Sequence, residues 1–173
     1  DLNEALLAVL KADTGCTTLR LDVTDAAAIA ALHREVFSPP WTTQEVAELM
    51  AHPGAATFVM CDTDSGVVTG YILGRVAADE AELLSIGVAP SQQRRGLARR
   101  LLAALADRVR RMGAVRLYLE VSAVNAPALA LYETTGFARI GVRRAYYRRA
   151  GQPAEDALLL ARDLTSKPQV DRA

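Results

Sequence analysis

The period of the chain changes at Pro90. Ala81–Val88 reads as a strand, and beyond the proline apolar residues recur every three or four positions, at Leu97, Leu101, Leu105, Val109 and Met112, until Gly113 closes the pattern. A short basic loop, Ser91-Gln92-Gln93-Arg94-Arg95-Gly96, joins the two. A long helix with one apolar stripe has to bury it against another layer, and a strand delivered straight into that helix points to a sheet covered by helices. The same junction suits an anion. The first amides of a helix have no carbonyl partner, the macrodipole is positive there, and Gly96 lets a ligand come close to the backbone. Phosphate is the natural guest, although neither the GxxxxGK[ST] phosphate loop nor the GxGxxG dinucleotide turn occurs.

The rest of the chain supplies the other layers. Residues 1–16 hold Leu2, Leu6, Val9 and Leu10 at helical spacing before a Thr14-Gly15 break, so residues 1–17 read as an N-terminal helical extension. Thr18–Val23 alternates as a strand. Thr24 can cap a helix with inner face Ala28, Ile29, Leu32 and Val36, which must end before Pro39-Pro40. Thr42-Thr43-Gln44-Glu45 has the form of a capping box ahead of a second helix with the stripe Val46, Leu49 and Met50, stopped by His52-Pro53-Gly54. Thr57–Cys61 and Val67–Ala77, joined by Asp62-Thr63-Asp64-Ser65-Gly66, form an expected antiparallel hairpin. Val115–Val121 returns to strand, Ala126–Thr135 to a helix closed by Gly136, and two last strands occupy about 137–148 and 156–163. The predicted order is β-α-α-β-β-β-α-β-α-β-β. It defines an α/β (α+β) chain with a mixed, partly antiparallel sheet, one domain over residues 18–165 and a flexible tail at 166–173.

Composition narrows the function. With 51% hydrophobic and 23% charged residues, a disordered chain is excluded. Twenty basic and twenty acidic residues cancel, which argues against a partner such as nucleic acid or an anionic membrane. The neutral total hides a strong asymmetry. Lys11 and Lys167 are the only lysines, Arg94–Arg111 carries seven arginines against the single acid Asp107, and Asp79, Glu80 and Glu82 gather at the start of the preceding strand. No apolar run approaches the ~18–20 residues of a membrane span, and the opening Asp-Leu-Asn-Glu is unlike a signal segment, so a cytoplasmic location is expected. Cys16 and Cys61 fall outside metal-ligand spacing and His33 and His52 stand without companions, so no metal site is expected.

Gln93-Arg94-Arg95-Gly96-Leu97-Ala98 resembles the Q/RxxGxG/A pyrophosphate signature of the GCN5-related N-acetyltransferases, preceded as in that family by a strand ending Ile86-Gly87-Val88-Ala89-Pro90. Alanine at 98 replaces the second glycine. Leu119-Glu120-Val121-Ser122 and Asn125 through Tyr132 to Gly136-Phe137, with Arg144-Ala145-Tyr146-Tyr147 and Glu155-Asp156-Ala157, are similar to the ribosomal-protein-alanine branch of the family. The likeness spans roughly residues 18–164. It implies a mostly antiparallel sheet of about six or seven strands with a splayed central pair and about four helices. It also implies acetyl-CoA as co-substrate, its pyrophosphate on the amides of Arg94, Arg95, Gly96, Leu97, Ala98 and Arg99, with Gln93 alongside, and its pantetheine arm along Ile86, Gly87 and Val88.

Acetyl transfer to an amine needs a group to take a proton from the ammonium and another to protonate the departing thiolate. By resemblance Glu120 is the base and Tyr132 the acid. Glu120 lies in the apolar run Leu117–Val121, where partial burial would move a carboxyl toward useful basicity; an outward-facing carboxylate paired with an arginine is the other reading. A core tyrosine packed under the sheet is the other reading of Tyr132. Asn125 is a helix N-cap, to which the resemblance adds a hydrogen bond to CoA. A backbone amide near Ile86 is the family-like group for the developing oxyanion. Trp41, Glu82, Tyr146 and Tyr147 are candidates for an acceptor groove, or packed aromatics and a solvated acid. The expected activity is direct acetylation of a protein N-terminal amine, that of ribosomal protein S-eighteen by resemblance, by a monomer or weak dimer. A small-molecule amine, a lysine, or a non-catalytic acyl-CoA-binding role are the alternatives.

Overall fold

The computed structural model describes residues 17–20, 26–148 and 153–165, so the predicted N-terminal helix, the Thr24 cap and the tail lie outside the described residues. The elements are β1 (Thr17–Arg20), α1 (Ala26–Val36), α2 (Thr43–Ala51), β2 (Ala55–Asp62), β3 (Val68–Ala77), β4 (Glu80–Val88), α3 (Leu97–Arg111), β5 (Arg116–Ser122), α4 (Ala126–Thr134), β6 (Ala138–Tyr147) and β7 (Glu155–Asp163). Their order is the predicted one, with a short 3-10 turn added at Pro90–Gln92. Among the described residues no helix is long and apolar enough to cross a membrane.

The chain forms two compact units. One holds the described residues up to Arg75 together with Leu84–Leu105, the other Val76–Leu83 and the described residues from Ala106 onward. Strands β3 and β4 and helix α3 contribute to both.

In the first unit the strands run β1-β2-β3-β4. β1 and β2 are antiparallel, as are β2 and β3, with Thr57 opposite Leu73 and a register shift at Met60/Cys61. The hairpin turn is built by Asp62, whose Oδ1 accepts the amides of Ser65 at 2.9 Å and Asp64 at 3.2 Å. Six consecutive residues are buried in each of β2 and β3, because apolar layers cover both faces of these strands. α1 and α2 furnish one layer, with Ile29, Leu32, Val46 and Met50 packed with Val59, Tyr71 and Leu73. α2 begins at the predicted capping box: Thr42 Oγ1 accepts the Glu45 amide at 3.2 Å, and the Glu45 carboxylate accepts the Thr42 amide at 2.6 Å. The buried face of α1 is Ile29, Ala30, Leu32 and His33, so the expected face is shifted toward His33, with Ala28 and Val36 at its margins. From α3 come Leu97, Leu101, Leu102 and Leu105, at most 3% exposed.

In the second unit the order is β4-β5-β7-β6. β4 and β5 pair in parallel over a short span, Glu80–Glu82 with Arg116–Tyr118. β5 and β7 are antiparallel along their length, from Arg116 opposite Asp163 to Ser122 opposite Ala157, and β7 pairs antiparallel with β6. Along β5 the residues Leu117, Leu119 and Val121 are buried, which turns Tyr118 and Glu120 to the other face.

Candidate active site

In the first unit, β4 and the loop after it form a shaped stretch of backbone. Tyr71 is fully buried beside β4, its hydroxyl hydrogen-bonded to Ser85 Oγ at 2.8 Å, and burial pushes the phenol well above its ordinary pKa. A β-carbon on Gly87 would lie 2.5 Å from Tyr71 Cε1, so glycine is what lets the strand pass this ring. The Ala89 amide donates to Thr69 O at 2.9 Å, and Gln93 Nε2 donates to Val88 O at 3.2 Å, tying the loop back onto the strand it leaves. Gln93, Arg94, Arg95 and Gly96 are exposed, and Arg95 is held by Gln92. The chain then turns sharply, with φ +59° at Arg94 and +77° at Gly96. A Cβ at Gly96 would meet nothing within 4 Å, so the glycine is there for its backbone angle and leaves open space over the helix start. Arg100 donates to Gly96 O at 3.1 Å, and the amides of Leu97 and Ala98 precede that bond, as expected of a helix end that can hold an anion.

The same unit contains Trp41. Its amide donates to His33 Nδ1 at 3.2 Å, and its ring stacks on the imidazole with centroids 4.7 Å apart. Phe37 also packs on the imidazole, tilted, with centroids 4.6 Å apart. Burial holds the His33 imidazole below its ordinary pKa, with Glu45 opposing. Sequence reading missed this role of His33, although its spacing from Ile29 places it on the inner face of α1.

The second unit brings together Glu120, Tyr132, Tyr146 and Tyr147. Glu120 faces an arginine: Arg143 Nη1 stands 3.0 Å from Oε1, the Glu120 side chain being 25% exposed. The arginine pairing weighed from sequence is therefore present, alongside the partial burial. The guanidinium carbon of Arg143 lies 5.3 Å from the ring centre of Tyr146, and Tyr146 meets Tyr147 edge-on at 5.1 Å. Tyr132 is 4% exposed, packed edge-on against Phe137 at 5.5 Å, and its phenol is pushed up by burial first and then by Tyr147. It is a core tyrosine in its packing, and a phenol kept neutral is also what a proton donor requires. Asn125 caps α4, its Oδ1 accepting the Ala128 amide at 3.2 Å. Glu82 sits exposed on β4, level with Tyr118 of β5.

Sequence reading names Asp156 as part of the last strand but misses its contacts with β6. Its Oδ1 accepts the Ala145 amide at 2.9 Å and its Oδ2 the Arg144 guanidinium at 2.7 Å. Only the pairing of β6 with β7 reveals these contacts.

Residues 26–137 match the acetyltransferase (GNAT) family, and the chain belongs to that family of N-acetyltransferases, whose acetyl donor is acetyl-CoA. It is 35% identical over 145 residues to the [ribosomal protein bS18]-alanine N-acetyltransferase of Escherichia coli, covering 84% of this chain and 95% of the other. It is 38% identical over 161 residues to the N-alpha-acetyltransferase RimI of Mycobacterium tuberculosis, covering 89% and 97%. The crystal structure of the Escherichia coli ribosomal-protein-alanine enzyme superposes with a TM-score of 0.78 at 33% identity, covering 89% of this chain and 97% of that one.

Proposed function

We propose that this enzyme transfers an acetyl group from acetyl-CoA to the N-terminal α-amine of a protein, with the N-terminal alanine of ribosomal protein bS18 as acceptor. What supports this reading is 35% identity to a relative named a [ribosomal protein bS18]-alanine N-acetyltransferase and 38% identity to one named an N-alpha-acetyltransferase, over nearly their whole lengths. In this reading Glu120 takes the proton from the acceptor ammonium, directly or through water, and the freed amine attacks the thioester carbonyl. A backbone amide near Ile86 stabilises the oxyanion. Collapse of the tetrahedral intermediate expels the CoA thiolate, and Tyr132 supplies its proton. The amides and side chains from Gln93 to Arg99 hold the pyrophosphate, Ile86–Val88 pairs with the pantetheine arm, and Asn125 adds a hydrogen bond to CoA. Trp41, Glu82, Tyr146 and Tyr147 bind the acceptor.

Direct attack is favoured over an acyl-enzyme because neither Cys16 nor Cys61 falls in the signature, and Cys61 on β2 is buried in the core. The test is mass spectrometry after incubation with acetyl-CoA and alanine-starting bS18 peptide, beside the same peptide with a blocked N-terminus and a panel of small amines. Acetylation confined to the free N-terminus supports the reading. Acetylation of the small amines alone overturns it.

A further inference from the structure

Strand β6 does not run regularly along β7. Arg143 lies opposite Ala157 and Tyr147 opposite Glu155, so three residues of β6, Arg144, Ala145 and Tyr146, face the single residue Asp156. Regular pairing would put Ala145 opposite Glu155 and carry Tyr147 two positions along. Something must favour the bulged register, because it loses ladder hydrogen bonds and places Ala145 at φ +51°, a conformation that side-chain-bearing residues avoid.

Asp156 supplies what the ladder lacks. One carboxylate oxygen takes the amide of Ala145 at 2.9 Å and the other takes the Arg144 guanidinium at 2.7 Å. Its own carbonyl accepts the Ala123 amide at 2.9 Å, and the preceding Glu155 accepts the Ser122 hydroxyl at 2.6 Å, which anchors the clamp on the connection between β5 and α4. The Ala145 amide, more than Arg144, holds the Asp156 carboxyl below the usual carboxylate range, so the clamp stays charged at neutral pH. The bulge adjoins the partner of Glu120: Arg143, just before it, pairs with that carboxylate, and Tyr146, within it, lies under the Arg143 guanidinium.

We propose that Asp156 is a positioning residue of this acetyltransferase: by holding the β6 bulge it sets Tyr146 under the guanidinium of Arg143, the partner of Glu120, and so shapes the acceptor side of the site. The inference rests on the acceptor-side reading of Glu120 and Tyr146 given above. Asp156 acts through its bonds to the Ala145 amide and the Arg144 guanidinium.

The test is steady-state kinetics of D156A, D156N, A145G and D156A/A145G, with amide hydrogen exchange over residues 138–147. In D156A the peptide KM rises about tenfold while the acetyl-CoA KM stays within about twofold, because misplacement is confined to one substrate. D156N, which keeps an oxygen for the Ala145 amide, falls between wild type and D156A. Adding A145G to D156A restores part of the loss, since glycine adopts the bulge angle without a clamp. Exchange at 143–147 speeds up in D156A. Equal rises in both KM values, an unchanged peptide KM in folded D156A, or unchanged exchange overturns the proposal; should D156A fail to fold, D156N decides it by the same measures. If wild type acetylates only small amines, the protein-acceptor reading falls, and the clamp is judged by the same KM split with that amine.

Discussion

The ring of Tyr71 fills the space above Gly87, where an added β-carbon would stand 2.5 Å from Cε1. Tyr71 is fully buried and hydrogen-bonded to Ser85, so it has no room to yield. Gly87→Ala therefore destabilises the protein by about 1–3 kcal/mol through overpacking. Tyr71→Phe keeps Cε1 in place and does not relieve the penalty. Thermal melts of the two single variants and the double variant check this; a Gly87→Ala protein as stable as wild type contradicts it.

His33 makes stability depend on pH. Unfolded, the imidazole takes up a proton near its ordinary pKa of 6.5, whereas burial delays that uptake in the folded protein to lower pH. Between the two values the unfolded state binds more protons, so stability is full above about pH 6.5 and falls as the pH is lowered through the folded pKa. Protonation also turns Nδ1 from an acceptor of the Trp41 amide into a donor. Urea unfolding at about pH 7.5 and about pH 5.5 shows a loss in wild type that is smaller in His33→Gln. Equal pH dependence in both proteins would contradict this origin.

Gly96 has open space around it and φ +77°, so Gly96→Ala meets strain without a clash. The cost to stability is about 1–2 kcal/mol. The backbone relieves it by rotating, which turns the first helix amides away from a bound pyrophosphate, and CoA affinity falls about tenfold or more. Calorimetric titration with CoA reads the second effect separately from the melting temperature. A variant with lowered Tm and unaltered CoA binding would remove these amides from the proposed site.

Tyr132→Phe keeps the ring against Phe137 and removes only the hydroxyl. The expected result is a kcat lowered by about 100-fold with acetyl-CoA KM and melting temperature nearly unchanged. A normal kcat would leave Tyr132 as packing alone.

Much of the fold is legible because the periods of the sequence are clean. Leu97 to Met112 can only be a helix with one buried stripe, and Thr42 with Glu45 marks a helix start that the structure reproduces atom by atom. The inner face of α1 was read less well. A pattern built from apolar positions does not count a histidine, and His33 is buried on the inner face of α1 under Phe37, Trp41 and Tyr71.

The site residues taken from motifs were legible as identities, while their partners were not. Glu120 and Arg143 belong to strands separated by β7, so the pair needs a long side chain reaching across roughly two strand spacings, about 10 Å, and no local spacing encodes it. The bulge at Ala145 was hidden for a related reason. Nothing in Arg144-Ala145-Tyr146 signals a positive φ, and it exists through an aspartate eleven positions on.

β6 is also the outermost strand of its sheet. A bare edge of that kind is a template on which another chain can add a strand. Here an arriving strand would find the ladder broken between Arg139 and Gly141 and again between Arg143 and Tyr147, with the exposed side chains of Arg139, Arg143 and Arg144 along the way. The irregularity that arranges side chains near Glu120 thus also protects the protein from edge-to-edge aggregation, and straightening β6 would remove that protection along with the arrangement.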